Sequence, residues 1–357
     1  MDPDAMKFRL TLALLAALHL AIVLAAWIAP YNYAEQHRDF PFAPPSRVRL
    51  RDAAGRFHPR PFVYGIAQDS AGGEYREDRR LVYPVRFFAG GRLFGVAPPG
   101  VVYLWGSDGL GRDVFSRVLY GGRISLLTGL AAAFLSLALG SFCGTLAGFY
   151  GGWVDSLLMR GGELFLALPW LYLLLGVRAF LPLHISTAQA FFLLVAIIGT
   201  VGWVRPARIV RGVVLSARER GFVLAARGFG ASAGYLMRRH ILPLTWSAVV
   251  TQATILIPRY VMAEVTLSFL GLGVSEPVPS WGNMLAEARQ YHALIAHPWM
   301  LAPGLAVIPV LLGYLTLADI LLERWSAGPG ASLPDDRPYG RQLARSAAST
   351  AQPGPGY

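Results

Sequence analysis

Arg259 and Glu264 are the residues whose placement first suggests chemistry, because both fall inside residues 246–270, a run that carries no other charge. A lone charge at the centre of a bilayer costs at least ~2.5–3.5 kcal/mol on insertion scales. Such residues face a water-filled path or a partner helix. The pair is therefore a candidate lining for a translocation path or its gate, and packing against a second chain is the other reading. Their spacing of five is off the i,i+4 geometry of a helical ion pair, although a bend at Pro258 would let them meet.

Other residue types able to do chemistry are poorly arranged for it. The seven histidines are His19, His37, His58, His184, His240, His292 and His297. None forms an HExxH or a close His/Cys cluster, so no metal site is expected. His292 and His297 share a loop where they could touch a ligand such as a nickel chelate, but a lone loop histidine is ordinarily solvated. Cys143 is the single cysteine, which excludes an intrachain disulfide and any cysteine-held cluster. Lys7 is the only lysine and no glycine precedes it, so there is no Walker A loop for ATP. With no Cys/His pair, the chain is expected to be neither an enzyme nor a cofactor carrier.

The elements that must hold these residues are membrane spans. Of 357 residues, 54% are hydrophobic and only 15% charged, against about a quarter charged in soluble domains. About 20 residues of helix cross the ~30 Å of hydrocarbon, and six runs qualify or come close: residues 10–29, 124–149, 163–181, 188–204, 246–270 and 299–322. The first is longer than the apolar core of a signal peptide, which favours a retained anchor. Arg178 and Glu163 stand at span ends and read as snorkelling to the interface. Trp27, Tyr31, Trp203, Trp246 and Trp299 form the usual aromatic belt.

Arginine placement gives the orientation. Arg205, Arg208, Arg211, Arg218, Arg220, Arg227, Arg238 and Arg239 follow the fourth run against one acid, Glu219, whereas Arg289 faces Glu276 and Glu287 after the fifth. The arginine-rich loop is expected in the cytoplasm, with both termini. Residues 30–122 then lie outside, since loops of that length translocate largely regardless of charge. The net charge of +11 reads as topology and docking charge, and no nucleic-acid partner is expected. Residues 46–66 read as two short strands about Asp52-Ala53-Ala54-Gly55, and residues 81–88 and 101–105 have strand-like content. The tail after Ser326 has the composition of a disordered segment. The expected division is an anchor over 1–29, a β-containing extracytoplasmic segment over 30–105, a membrane core over 106–325 with a cytoplasmic loop at 216–243, and a disordered cytoplasmic tail over 326–357. No internal repeat is evident, which weakens a repeat-built secondary transporter.

The cytoplasmic loop is the most informative stretch. Phe222-Val223-Leu224-Ala225-Ala226-Arg227-Gly228-Phe229-Gly230-Ala231-Ser232 is followed by Arg239-His240-Ile241-Leu242-Pro243. It reads as a short helix with a small-residue face, broken at Gly230, then a second helix stopped by Pro243. An alanine- and glycine-lined helix in a solvent-facing loop suggests a docking surface, which an ordinary basic loop does not need. This stretch resembles the coupling-loop signature of ABC importer permeases, Glu-Ala-Ala, then Gly, then Ile-x-Leu-Pro. Ala225, Ala226, Gly230 and Pro243 match, Leu242 occupies its usual Leu position, and Ile241 stands one residue after the signature's Ile position, which His240 fills. Leu224 stands where the signature often has Glu, so that residue's ion pair with an ATPase is not carried over. The resemblance implies ATPase docking through Phe222, Ala225, Ala226, Arg227, Gly230, Ala231, Ser232, Ile241 and Pro243.

A second block narrows the family. Gly106-Ser107-Asp108-Gly109-Leu110-Gly111-Arg112-Asp113 leads through Val114-Phe115-Ser116-Arg117 into the second span. By itself it is a glycine-rich polar turn and an amphipathic stretch, with Val114, Phe115, Val118 and Leu119 on one side, suited to the membrane interface. It is similar to the Gly-Thr-Asp-x-x-Gly-Arg-Asp block of the dipeptide/oligopeptide/nickel permeases of the C-subunit type. Asp108, Gly111, Arg112 and Asp113 match, and Ser107 keeps the hydroxyl of the commoner Thr. Asp155 with Met159-Arg160, Leu166–Pro169, Glu264, the runs 267–273 and 279–285, Pro298-Trp299 and Pro303-Gly304 extend the likeness across 105–324. Residues 30–103 have no counterpart in it, and Arg259 is outside the pattern.

The resemblance implies an all-α membrane protein with six transmembrane helices in the type I ABC importer permease fold, in the cell (inner) membrane, with the small β-containing segment outside. It implies a B-type permease partner, two ATPase subunits that hold ATP and Mg, and an extracytoplasmic substrate-binding protein. Di- or oligopeptides are the first substrate expectation, with nickel complexes, opines and other small solutes open. Two other readings stand beside it: a self-sufficient ion-coupled secondary transporter using Arg259 and Glu264, and a membrane-anchored outer binding module.

Overall fold

The computed structural model describes residues 3–68, 75–167, 169–179, 186–289 and 295–326. In chain order the helices are α1 (Pro3–Val23), α2 (Ala25–Ile28), α3 (Val114–Tyr150), α4 (Gly152–Ala167), α5 (Trp170–Ala179), α6 (Thr187–Gly202), α7 (Val204–Arg218), α8 (Gly221–Gly228), α9 (Ala233–Leu236), α10 (Leu242–Phe269), α11 (Trp281–Glu287) and α12 (Ala302–Ser326). Strands β1 (Arg49–Arg51), β2 (Phe57–Gln68), β3 (Tyr75–Pro84), β4 (Arg86–Phe87) and β5 (Phe94–Gly95) lie between α2 and α3.

The bundle is organised around α3, whose 37 residues give a rod of ~55 Å at 1.5 Å per residue. Lipid tails are as apolar as leucine, so helices in a bilayer associate through close packing, favoured by small residues at the contact. Gly140, Gly144 and Gly148 form such a stripe, spaced by one turn, and α7 lies against it. A Cβ at Gly144 would sit 2.4 Å from the Ala207 carbonyl oxygen, and one at Gly148 2.9 Å from that of Arg211. Further along, Gly129 admits α10, where a Cβ would meet Val261 at 2.4 Å. Near the α3 N-terminus, Val118, Leu126, Val265, Trp281 and Val310 share a core with Leu15 and Ile22 of α1. A second core in mid-bundle joins Ala133, Leu194, Ile198, Leu256 and Tyr260. Val210, Val214, Ala217 and Ile241 close the far end. The first helix belongs to this bundle: Leu15 fills the space beside Gly313, and His19 Nε2 lies 3.1 Å from the Tyr314 hydroxyl.

Among the described residues, four helical runs are long and apolar enough to cross a membrane alone, and two bent pairs bring the candidates to six. The third and fourth runs, expected to be single spans, are those pairs. Between α4 and α5 the axis turns by 91° at Pro169, which has no N–H to continue the helix and disfavours helical backbone in the residue before it. Between α6 and α7 it turns by 44°. Residues 205–218, expected as loop, are helix α7. Its buried Ala207, Val210, Val214 and Ala217 repeat at three and four residues and face α3, while the arginines occupy the other side. Those arginines are largely matched: Arg211 makes a two-pronged pair with Asp155, and Arg208 reaches Glu163 at 3.1 Å. Glu163 is thus ion-paired rather than simply snorkelling.

The sheet module follows from the turn chemistry. Asp52 Oδ1 accepts from the backbone N–H groups of Ala54 and Arg56, and Gly55 takes φ +80°. That closes the hairpin of β1 and β2. A bond with His58, helped by the amides, holds the Asp52 carboxyl down at about 2. The order is β1-β2-β3, all antiparallel. Pairing jumps from Tyr64↔Val82 to Gly65↔Asp78, so Arg79, Arg80 and Leu81 bulge out of β3 opposite Gly65, where a Cβ would meet Leu81 Cβ at 3.0 Å. The expected strand over 81–88 is split, since β3 ends at Pro84 and β4 pairs with β5 in a second small sheet. The expected strand over 101–105 is absent. Side chains occupy amides there that a neighbouring strand would have used: the Tyr31 hydroxyl accepts from Val102 N–H at 2.8 Å, and Ser46 Oγ from Tyr103 N–H at 3.0 Å. The tail after Ser326, His184 and His292 lie outside the described residues.

Candidate functional site

Three regions hold the candidate residues, and they lie at different heights along α3. At its C-terminal end, α7 runs into α8, whose eight residues form the helix expected between Phe222 and Gly228. Its C-terminus is closed by Gly230 at φ +84°, the left-handed position glycine adopts without penalty. Ser232 then caps α9 by accepting from Tyr235 N–H. Only Val223, Leu236 and Ile241 in this stretch are buried. Ala225, Gly230 and Ser232 are exposed and Ala226 and Ala231 half-buried, while Phe222, Leu224 and Tyr235 are about half exposed and Phe229 is 93% exposed. Arg220, Arg227, Arg238 and Arg239 are exposed, and none has a carboxylate within ion-pair distance among the described residues. Pro243 does not stop the second helix. The run from Ala233 to Phe269 is continuous, and Met237–Ile241 form a π-turn just before the proline. That wider turn relieves the clash and missing N–H that proline brings to an α-helix.

At the opposite end of α3, the Gly-Ser-Asp-Gly-Leu-Gly-Arg-Asp turn is a rigid knot. Asp108 Oδ1 accepts from the N–H groups of Leu110 and Arg112. Gly111, at φ +72°, admits the His37 carbonyl, which would lie 1.9 Å from a Cβ there. Asp113 caps α3 through Ser116 N–H at 2.8 Å. Arg112 pairs with Asp108, Glu276 and Glu287. Arg117, only 1% exposed, reaches Glu276 at 2.7 Å and Glu287 at 3.3 Å. The helix start is therefore buried on its charged side as well as its apolar side. Burial pushes Asp113 up to about 7 despite its bonds to Ser116. It pushes Glu287 up to about 7 as well, against the pull of Arg117. For Glu276 burial acts in the same direction, but Arg117 and Arg112 together hold its carboxyl below the usual range. Arg117, Glu276 and Glu287 were not singled out in the sequence. The available signal was a second arginine, four residues after Asp113, in a stretch otherwise apolar.

Between these ends sit the two charges of α10, and they do not meet. Glu264 is fully buried and accepts from Ser268 Oγ at 2.6 Å, while its Oε2 has no partner among the described residues. Arg259 turns the other way. Its guanidinium lies 5.0 Å from the Trp170 ring centroid, beside a cavity of about 260 Å³ that Arg205, Trp170 and Tyr260 also line. Pro258 lies within α10 without breaking it, and no bend there brings the two charges together. His297, expected in an outer loop, is stacked on Phe42 with ring centroids 4.4 Å apart.

The model of the family described as binding-protein-dependent transport system inner membrane component matches residues 136–327, more than half the chain. The chain belongs to this family. It is a multi-pass inner-membrane permease subunit of a binding-protein-dependent (ABC) transporter, and it is not itself an enzyme. It is 40% identical over 204 residues to the dipeptide transport system permease protein of Bacillus subtilis, covering 57% of this chain and 62% of that one. It is 34% identical over 227 residues to the same organism's oligopeptide transport system permease protein, covering 63% and 72%. The glutathione transport system permease protein of Shigella dysenteriae is 41% identical over 219 residues, covering 61% and 68%. The matched family segment leaves out the whole sheet module, and it includes the permease's bent pairs, α8 and both α10 charges.

Proposed function

We propose that this chain is the C-type half of a heterodimeric permease in an ATP-driven importer of di- or oligopeptides. The observation that carries the reading is α8, a capped helix with a small-residue face and arginines that have no acid beside them among the described residues, at the end of the bundle away from the sheet. A helix of eight residues is marginal in isolation, and this one presents most of its surface outward. A groove on an ATPase subunit, lined by acids, is the partner that such a surface fits. ATP, with Mg, is held and hydrolysed in the two partner subunits. Their closure moves α8, and the continuous helix from Ala233 to Phe269 carries that displacement to Arg259 and the mid-bundle cavity. The bundle is then a bistable element whose two packings are biased by nucleotide and by the loaded binding protein.

In this reading both termini and α8 are cytoplasmic, and the sheet module faces the binding protein's side. Arg259 lines the path. Glu264, sealed between α3, α10 and α11, fixes packing. The peptide assignment draws on the relatives' substrates. An ion-coupled carrier would need Arg259 and Glu264 to act on one another, and they occupy different surroundings. Purification of the tagged chain from its native membrane in mild detergent tests the reading. Recovery of a second permease and ATPase subunits is the expected outcome. Recovery alone, with uptake persisting after ATP depletion, would overturn it.

A further inference from the structure

Two breaks between helices border the mid-bundle cavity. Pro169 stands at the 91° turn between α4 and α5 and Gly202 at the 44° turn between α6 and α7, and the unbroken α10 closes the space with Leu256, Arg259 and Tyr260. Broken helices at membrane depth are tolerated where they line a cavity, and transporters use such places to hold cargo. What marks this cavity is its charge. Arg205 and Arg259 both line it, and neither has a carboxylate within ion-pair distance among the described residues. The other arginines nearby on α7, Arg208 and Arg211, are each matched by an acid of α4. Two guanidinium groups left facing one space repel each other, and no acid among the described residues relieves that.

The geometry also fixes what kind of anion. Trp170 lies under the Arg259 guanidinium and stacks on Tyr260 with ring centroids 5.8 Å apart and planes 14° from parallel. The Tyr260 hydroxyl is in turn 2.8 Å from that of Ser136. The Arg259 guanidinium is thereby held against one wall, within cation–π reach of the ring. Its planar fork matches the two oxygens of a carboxylate through parallel N–H···O bonds. At ~30 Å³ per water the space holds about nine waters, enough for the end of a solute and not for a long chain.

We propose that this cavity is a carboxylate site in the translocation path, where Arg205 and Arg259 take the C-terminal carboxylate of a peptide in transit. The inference rests on the peptide-importer reading and adds a requirement on the cargo. The rival occupant is an acid of the partner permease.

The test uses the whole complex, with its binding protein and ATPases, in liposomes given a pool of dipeptides with free C-termini. Imported peptides are counted by mass spectrometry. Arg259→Gln and Arg205→Gln should each lower import by about tenfold or more, the loss expected for one charge-assisted pair. Co-purification and ATP hydrolysis stimulated by the binding protein should persist, and Arg259→Lys should recover part of the import. Cargo affinity of the binding protein, measured separately, cannot change, so the loss belongs to the permease. Undiminished import by both Gln variants would overturn the carboxylate site and leave the importer reading intact. So would a complex that falls apart on Arg259→Gln and is restored by reversing an acid on the partner permease. A wild-type complex that hydrolyses ATP with its binding protein but imports no peptide refutes the peptide reading and this site with it.

Discussion

The two ends of α3 treat arginine in opposite ways. At the N-terminal end Arg112 and Arg117 are almost completely buried, and acids of the same chain surround them. At the C-terminal end Arg220, Arg227, Arg238 and Arg239 stand exposed around α8, with no acid of the described residues beside them. Burying a charge is tolerated only when it is paired and hydrogen-bonded, so the first set belongs to the chain's own fold. An exposed basic helix with Phe229 almost fully uncovered has no such intrachain purpose. One end is closed by its own acids, and the other carries the docking surface proposed for the ATPase. The same residue type thus marks structure or docking according to what the chain places around it.

Substitutions at the two ends should separate these roles, and stability of the purified chain in detergent orders them. The largest loss is expected from Arg117→Ala, which leaves Glu276 and Glu287 short of a partner. Breaking a buried pair from one side costs ~3–5 kcal/mol, and because Glu276 is 44% exposed and both acids keep Arg112, the low end of that range and a fall of several degrees in thermal unfolding are expected. A change too small to measure would mean that the knot is not closed as described.

Next comes the titration of Asp113. Its native carboxyl is raised to about 7, whereas the unfolded one ionises near 4. Between those values the unfolded state releases its proton and the native state keeps it, so the contribution to stability falls as pH rises from about 4 to about 7 and is constant above. Asp113→Asn keeps an acceptor for the Ser116 cap and removes that slope, a difference on the order of a few kcal/mol across the window. Parallel pH profiles for wild type and variant would show that Asp113 is not held neutral.

Gly230→Arg should cost only about 1 kcal/mol of stability, from the left-handed backbone, because nothing lies within 4 Å of a Cβ there. Transport should nevertheless be abolished while the chain remains in the membrane. Gly230→Asn, which accepts that backbone, should transport. Normal uptake by the Arg variant would remove α8 from the coupling path. The smallest effect on stability is expected for Arg227→Ala, within about 0.5 kcal/mol as for other exposed positions, together with weaker retention of the ATPase subunits. A large drop in unfolding temperature there would show that α8 is held by its own chain after all.

Much of this was legible in one dimension. The apolar runs near α1, α3, α10 and α12 are long enough to announce themselves, and Gly230 and Asp52-Ala53-Ala54-Gly55 marked their turns through backbone and side-chain chemistry that acts over a few residues. The arginines of residues 205–218 misled, because a count of charges reads as loop while the three-and-four spacing of Ala207, Val210, Val214 and Ala217 reads as helix. Pro243 misled for a similar reason. A proline usually ends a helix, and the π-turn that accommodates it leaves no residue-level trace. Residues 101–105 had the composition of a strand, but Tyr31 and Ser46, far away in sequence, occupy their amides.

By itself the sequence determined that the chain lives in a membrane, that it carries no nucleotide loop of its own, and that a small-residue helix interrupts its basic loop. Those properties follow from length, composition and local spacing. Only the tertiary structure decided the fate of the charges. Arg117 meets acids more than 150 positions later, Glu264 is sealed in a core, and Arg205 and Arg259 are left facing one cavity. The energy of a charge in low dielectric depends on which groups stand within a few ångströms of it, and the packing of the α3 glycines against α7 and α10 is what sets those neighbours.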